Sequence, residues 1–264
     1  MTHSNVIVET DPRGVATLTL NRPEVHNAFD DVLIGGLTRE LASLSADPAV
    51  RVVVLAAAGK SFCAGADLNW MRRMAEYSEA ENQDDARRLA SLMETLYRMP
   101  TPTVARVQGS AFGGGVGLIA CCDIAVAADG AKFSLSEVKL GLIPAVISPY
   151  VVRAMGERHA RRFMLTAERF DAAEAHRAGL VHEIAGDDEL DARVGGLVEQ
   201  LLDNGPLAMA AVKSLVERVS GGVVDDAMVE ETAKRIAAIR AGEEGKEGVS
   251  AFLEKRPPRW KQGD

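Results

Sequence analysis

Hydrophobic positions along this chain change period several times, and each change marks a new element. Residues 6–9 and 15–20 are β-rich runs flanking Asp11-Pro12-Arg13-Gly14, a turn tetrapeptide with proline second and glycine last, so the chain opens with a hairpin. Phe29, Leu33, Leu37, Leu41 and Leu44 then recur at helical spacing and stop at Asp47-Pro48. Residues 51–57, RVVVLAA, form an unbroken apolar run, which predicts a strand covered on both faces. The alternation continues with a helix over 84–99 ended by Pro100 and Pro102, a strand over 104–108, a glycine-rich helix start and a strand over 124–127. A short strand over 132–136 carries Glu137 at its end. Asp171 then caps a helix that Gly179 closes, and a strand over 180–184 ends the sheet. From about Glu189 the spacing is helical throughout, through Leu201, Met209, Val212 and Leu215 and later Ile236, Ile239, Val249 and Phe252.

Strands that alternate with helices predict an α/β fold with parallel layering. The expected division is a core of residues 1–190 that carries the site and a helical region of residues 191–264 that packs on the core or on a neighbouring subunit. Hydrophobic residues make up 47% of the 264, enough for one large domain with a helical appendage.

Residues 109–117, GSAFGGGVG, place five glycines where an apolar segment enters a buried helix. Each glycine costs about 0.5–1 kcal/mol in an element interior, so backbone of this kind is suited to approaching something closely. Upstream, residues 62–68, FCAGADL, again lead through small residues into a helix start at Asp67. Two exposed backbone N–H groups can thus converge on one oxygen, which is the arrangement of an oxyanion hole.

Charge narrows the partners. The net charge is −8 and the basic residues are interleaved with acids, which argues against a nucleic-acid or anionic-membrane footprint and favours a small molecule. The N-terminal MTHSNVIVET has neither a cationic nor an apolar targeting region, and the longest uncharged apolar stretch, residues 111–122, is too short to span a bilayer. A cytoplasmic protein is expected. Cys63, Cys121 and Cys122 show no CxxC spacing, and His3, His26, His159, His176 and His182 show no metal-like spacing, so neither a disulfide framework nor a metal site is indicated. Cys63 lies beside the glycine segments but has no partner histidine in sequence, and it reads as a small buried apolar residue.

Six motifs, in order, carry a family resemblance: LNRPEVHNAF, FCAGADL, QGSAFGGGVGL, CDIAVA, FSLSEVKLGLIP and GLVHEI. Together they resemble the crotonase, or enoyl-CoA hydratase/isomerase, superfamily over essentially the whole chain, in wording most like bacterial hydratases of the methylglutaconyl-CoA type. The resemblance implies a spiral of ββα units with a C-terminal helical trimerisation region, assembled as a homotrimer or a dimer of trimers. It implies an acyl-CoA substrate, with coenzyme A entering only as part of that substrate and with no metal. It places the backbone N–H groups of Ala66 and Gly114 on the thioester oxygen, and Glu137 as the catalytic acid/base with a pKa raised by burial. It assigns Val25, Ala64, Gly65, Asp67, Leu68, Gly113 and Gly117 to the substrate and its CoA portion. Asp67 also has a sufficient explanation as a helix N-cap. Glu24 stands where relatives often carry a lysine near the CoA phosphates.

The carboxylates bear on the reaction. Two-acid hydratases of this superfamily have glutamates at the positions matching Gly117 and Glu137, and this chain retains only Glu137. Hydration needs an oriented water and a proton for C2, whereas isomerisation needs one base to move a proton between C2 and C4. A single glutamate fits an isomerase; the motif wording fits a hydratase of branched or carboxylated enoyl-CoAs. A non-catalytic acyl-CoA binder is a third reading. The glycine at 117 is expected to open room for a substrate carboxylate or a water. Trp70, Met71 and Met74 either line the acyl pocket or form a core stripe, and Phe252, Lys255 and Trp260 either pack on CoA or form a solvated face.

Overall fold

The computed structural model describes residues 4–261. The opening hairpin is present as β1 (Val6–Thr10) and β2 (Val15–Leu20), followed by α1 (Asp31–Ala46). Three turns of a repeating pattern come next. The first is β3 (Val52–Ala57), β4 (Ser61–Cys63) and the helices α2 (Leu68–Met74) and α3 (Glu79–Tyr97). The second is β5 (Thr103–Val107), β6 (Ser110–Phe112) and α4 (Gly114–Cys121); the third is β7 (Ile124–Ala128), β8 (Lys132–Ser134) and α5 (Ser148–Thr166). After these come β9 (Phe170–Asp171), α6 (Ala172–Arg177) and β10 (Glu183–Ala185). Four helices close the chain: α7 (Leu190–Leu202), α8 (Pro206–Val219), α9 (Asp226–Ala241) and α10 (Glu243–Glu254).

In each turn the first strand joins a six-stranded sheet, ordered β1-β2-β3-β5-β7-β10, and the second joins a four-stranded sheet, ordered β4-β6-β8-β9. All pairings are parallel except β1 with β2 and β8 with β9. Chain that feeds two sheets alternately and then crosses back through a helix advances as a spiral of ββα units. The large sheet is covered on both faces. Val53 and Leu55 of β3 point into the main core with Leu18, Leu33, Leu37 and Phe62, whereas Val52 and Val54 meet Leu190, Val194 and Val198 of α7. That double burial is why residues 51–57 read as an unbroken apolar run.

Four expectations shift. The helix expected over 84–99 begins at Glu79, because Ser78 and Glu81 form a capping box that starts it with polar turns. The strand expected over 180–184 moves to Glu183–Ala185; Leu180 and Val181 are buried in the turn before it. Glu137 lies in a short 3-10 turn, Glu137–Leu140, rather than at the end of a strand. Residues 148–166, with no element expected, form α5, whose apolar rhythm is broken by a kink at Gly156, where φ is 73°. His3 lies outside the described residues.

Candidate active site

Ala66 is placed by Phe29. The Phe29 N–H donates to Gly65 O at 2.7 Å and its carbonyl accepts from Asp67 N–H at 2.7 Å, a parallel bridge between Phe29 and Ala66. In such a bridge the residue opposite turns its own N–H outward, so the Ala66 amide faces away from Phe29 and has no acceptor among the described residues. Phe29 is itself held by the loop before it. Asn27, fully buried, accepts from Arg22 N–H at 2.8 Å and donates to the carbonyls of Ala58 and Ser61 at 2.8 and 2.9 Å. The Arg22 guanidinium pairs with Asp30 at 2.8 Å and Asp67 at 3.2 Å, the N-cap residues of α1 and α2. Arg22, Asn27 and Phe29 are thus positioning residues; their shared motif, with a buried asparagine and a paired arginine, was the available signal.

Gly114 is the first residue of α4, where an N–H has no partner within the helix. Gly113 before it has φ of 50°, which turns the chain sharply into the helix. The same Phe29 ring backs this turn: a β-carbon on Gly114 would lie 2.5 Å from Phe29 Cε2. Tight packing and an outward amide therefore coincide at Gly114. The two loops touch, since a β-carbon on Gly113 would stand 4.0 Å from Gly65 Cα and 3.0 Å from Glu137 Oε1.

Glu137 is partly buried, and its Oε2 has no hydrogen-bond partner. Burial raises its carboxyl above the ordinary value of 4.5, against a smaller opposing effect from its own backbone amide. A carboxyl so placed can exchange protons closer to neutrality than a solvated one.

Ala64, Gly65, Ala66, Leu68, Gly113, Gly114 and Glu137 line one cleft of about 890 Å³. Trp70, Met71 and Met74 line it too, so the helical stripe on α2 faces the cleft, and Asn82 and Asp85 of α3 reach it unforeseen. Val25, Asp67 and Gly117 do not line it. Val25 sits in a 3-10 turn, Pro23–Val25. Asp67 is spent as a cap, accepting from Asn69 N–H at 2.8 Å and Trp70 N–H at 3.2 Å; burial works to raise its pKa, but these amides and Arg22 hold it lower. The room expected above Gly117 is taken: a β-carbon there would lie 2.3 Å from Ile147 Cγ2. Burial pushes the Cys63 thiol up to about 12, which leaves it protonated and apolar in character. Phe252, Lys255 and Trp260 stand away from the cleft; the Trp260 indole donates to Asp203 O at 3.1 Å and packs on Gly248.

The ββα spiral is the crotonase fold: the chain superposes with a TM-score of 0.95 on an enoyl-CoA hydratase from Shewanella pealeana, 49% identical, over 98% of this chain and 97% of that one. It is 34% identical to the 2,3-dehydroadipyl-CoA hydratase of Escherichia coli over 98% of this chain and 99% of that one. It is 33% identical to the crotonyl-CoA hydratase of Syntrophomonas wolfei over 97% of each. Residues 10–263 match the family described as enoyl-CoA hydratase/isomerase, and the chain is an enzyme belonging to that family.

Proposed function

We propose that this protein is an enoyl-CoA hydratase that adds water across the C2=C3 bond of a 2-enoyl-CoA. The observation that carries the reading is the Glu137 carboxyl, raised in pKa and unpartnered at Oε2, lying against the Gly113 turn that presents the Gly114 amide. The thioester oxygen sits between the N–H groups of Ala66 and Gly114, and each donor lowers the barrier to the enolate by about 2.7–4 kcal/mol. Polarised in this way, C3 accepts the oxygen of a water whose proton passes to Glu137. Glu137 returns a proton to C2 and the enolate collapses to the thioester, so H and OH are both accounted for. Ala64, Gly65 and Leu68 line the path of the CoA portion. The relatives named as hydratases support this reading.

Isomerisation of a 3-enoyl to a 2-enoyl thioester is favoured by a different observation, the absence of any carboxylate on α4 at Gly117. Absorbance at the enoyl-thioester band separates the two. Hydration of crotonyl- or methylglutaconyl-CoA removes absorbance, and isomerisation of a 3-enoyl-CoA creates it. A gain without any loss overturns the hydratase reading.

The same reading assigns residues 1–190 to the spiral core and residues 191–264 to the helical region, of which α7 packs on the large sheet and α8 to α10 serve oligomerisation, as a trimer or a dimer of trimers. Its support is the exposed apolar set on α8 to α10, Leu207, Val212, Val216, Ile236, Val249 and Phe252.

A further inference from the structure

Gly117 is on the second turn of α4, and Ile147 stands at the start of α5. A β-carbon at position 117 would lie 2.3 Å from Ile147 Cγ2, 2.9 Å from its Cβ and 3.3 Å from Met93 Cε. Carbon atoms pack at about 3.5–4.0 Å, so no side chain fits at 117 while Ile147 is there. Ile147 has nowhere to go: it is 2% exposed and part of the main hydrophobic core, which is close-packed. Yet Ile147 also lines the cleft, together with Glu137, and Gly117 does not. The volume a side chain on α4 would claim is filled from α5 by an aliphatic one.

We propose that Ile147 is a specificity-determining residue of this cleft, supplying an apolar wall where α4 would otherwise present a side chain and selecting acyl groups that press alkyl carbons on it. The inference rests on reading the cleft as an enoyl-CoA site. It makes Gly117 and Ile147 a coupled pair: the glycine is required by the isoleucine, and a carboxylate can be installed on α4 only when the isoleucine is reduced.

Calorimetry with butyryl-CoA, which has no double bond and does not turn over, reads the wall apart from the chemistry. Ile147→Ala is expected to weaken butyryl-CoA about tenfold, and Ile147→Val, one methylene smaller, about threefold, with affinity for free CoA unchanged. Gly117→Glu is expected to lower the melting temperature and weaken butyryl-CoA, and combining it with Ile147→Gly to restore the melting temperature to that of Ile147→Gly alone. Unchanged butyryl-CoA affinity in folded Ile147→Ala or Ile147→Val overturns the proposal. So does a Gly117→Glu protein that melts and binds like the parent, or a double variant that does not recover. If the wall variants behave as expected but Glu137→Gln turns over normally, the wall stands and the enoyl-CoA chemistry falls.

Discussion

Glu137→Gln keeps the size and planarity of the side chain and removes its capacity to take up and release a proton near neutrality. Turnover of a 2-enoyl-CoA should fall about 10²-fold or more, with binding of a saturated acyl-CoA little changed; near-normal turnover would refute the assignment. In the parent, kcat/KM should show an acid limb above the ordinary carboxylate range, because burial raises the group that must give up its proton to accept one from water. Stability has the opposite dependence. The folded state holds this proton more tightly than the unfolded chain does, so stability falls as pH rises from the unfolded value near 4.5 through the raised folded value, and the cost of a buried charge is fully present above it. Glu137→Gln should therefore melt higher than the parent at about pH 8, with the gap closing below about pH 5. A gap independent of pH would show that the carboxyl is solvated.

Among the elements, the caps of α1 and α2 share one arginine. Asp67→Ala removes the cap of α2 and should cost about 1 kcal/mol in chemical denaturation. Arg22→Met leaves both Asp30 and Asp67 without their cation and should cost more, while also raising KM through the displaced Phe29 and Ala66. A KM equal to the parent's would show that this shared arginine serves stability alone. These elements were unequally legible in sequence. The long strands and helices were visible because both faces of the large sheet, or one face of a helix, repeat an apolar pattern. β4 and β6 are three residues each, too short to establish a period, and of this sheet only β8, inside the strand expected over 132–136, was legible, so the second sheet and with it the spiral were reachable only through the motif resemblance. At the site, the glycines and Glu137 stood out by residue type. Ile147 did not, because an apolar residue in an apolar stretch says nothing of which neighbour's space it fills.

Across the whole molecule the C-terminal segment is tied to α10 and to Arg51, just before β3. Glu247, 8% exposed, pairs with Arg256 at 2.6 Å and accepts from Arg259 N–H at 2.9 Å. The Arg256 ion pair above all, opposed by burial and aided by that amide, holds its carboxyl at about 2. A depressed folded value contributes stability that is present above the unfolded value near 4.5 and is lost as pH falls toward 2. Glu247→Gln should thus narrow its melting deficit as pH drops through that window; a deficit constant from pH 7 to about 3 would place the contribution elsewhere. Arg51 adds a second tie, donating to the carbonyls of Trp260, Leu202 and Asn204. With the end of the chain held, α10 presents Phe252, 82% exposed, outward. Light scattering should give a mass of three or six chains, and Phe252→Glu should shift it toward one.

One ring gauges the site. Phe29 bridges Ala66 through its backbone and backs Gly114 through its side chain, so the separation of the two amides is set by a single residue lying outside both loops. Phe29 lines the cleft as well, but most of its remaining walls come from other segments, α2, α3 and the stretch 140–147. Under the proposed function, donor spacing and most of the substrate contact are therefore written on different parts of the chain, and the walls are free to diverge toward new acyl groups while the gauge keeps its setting.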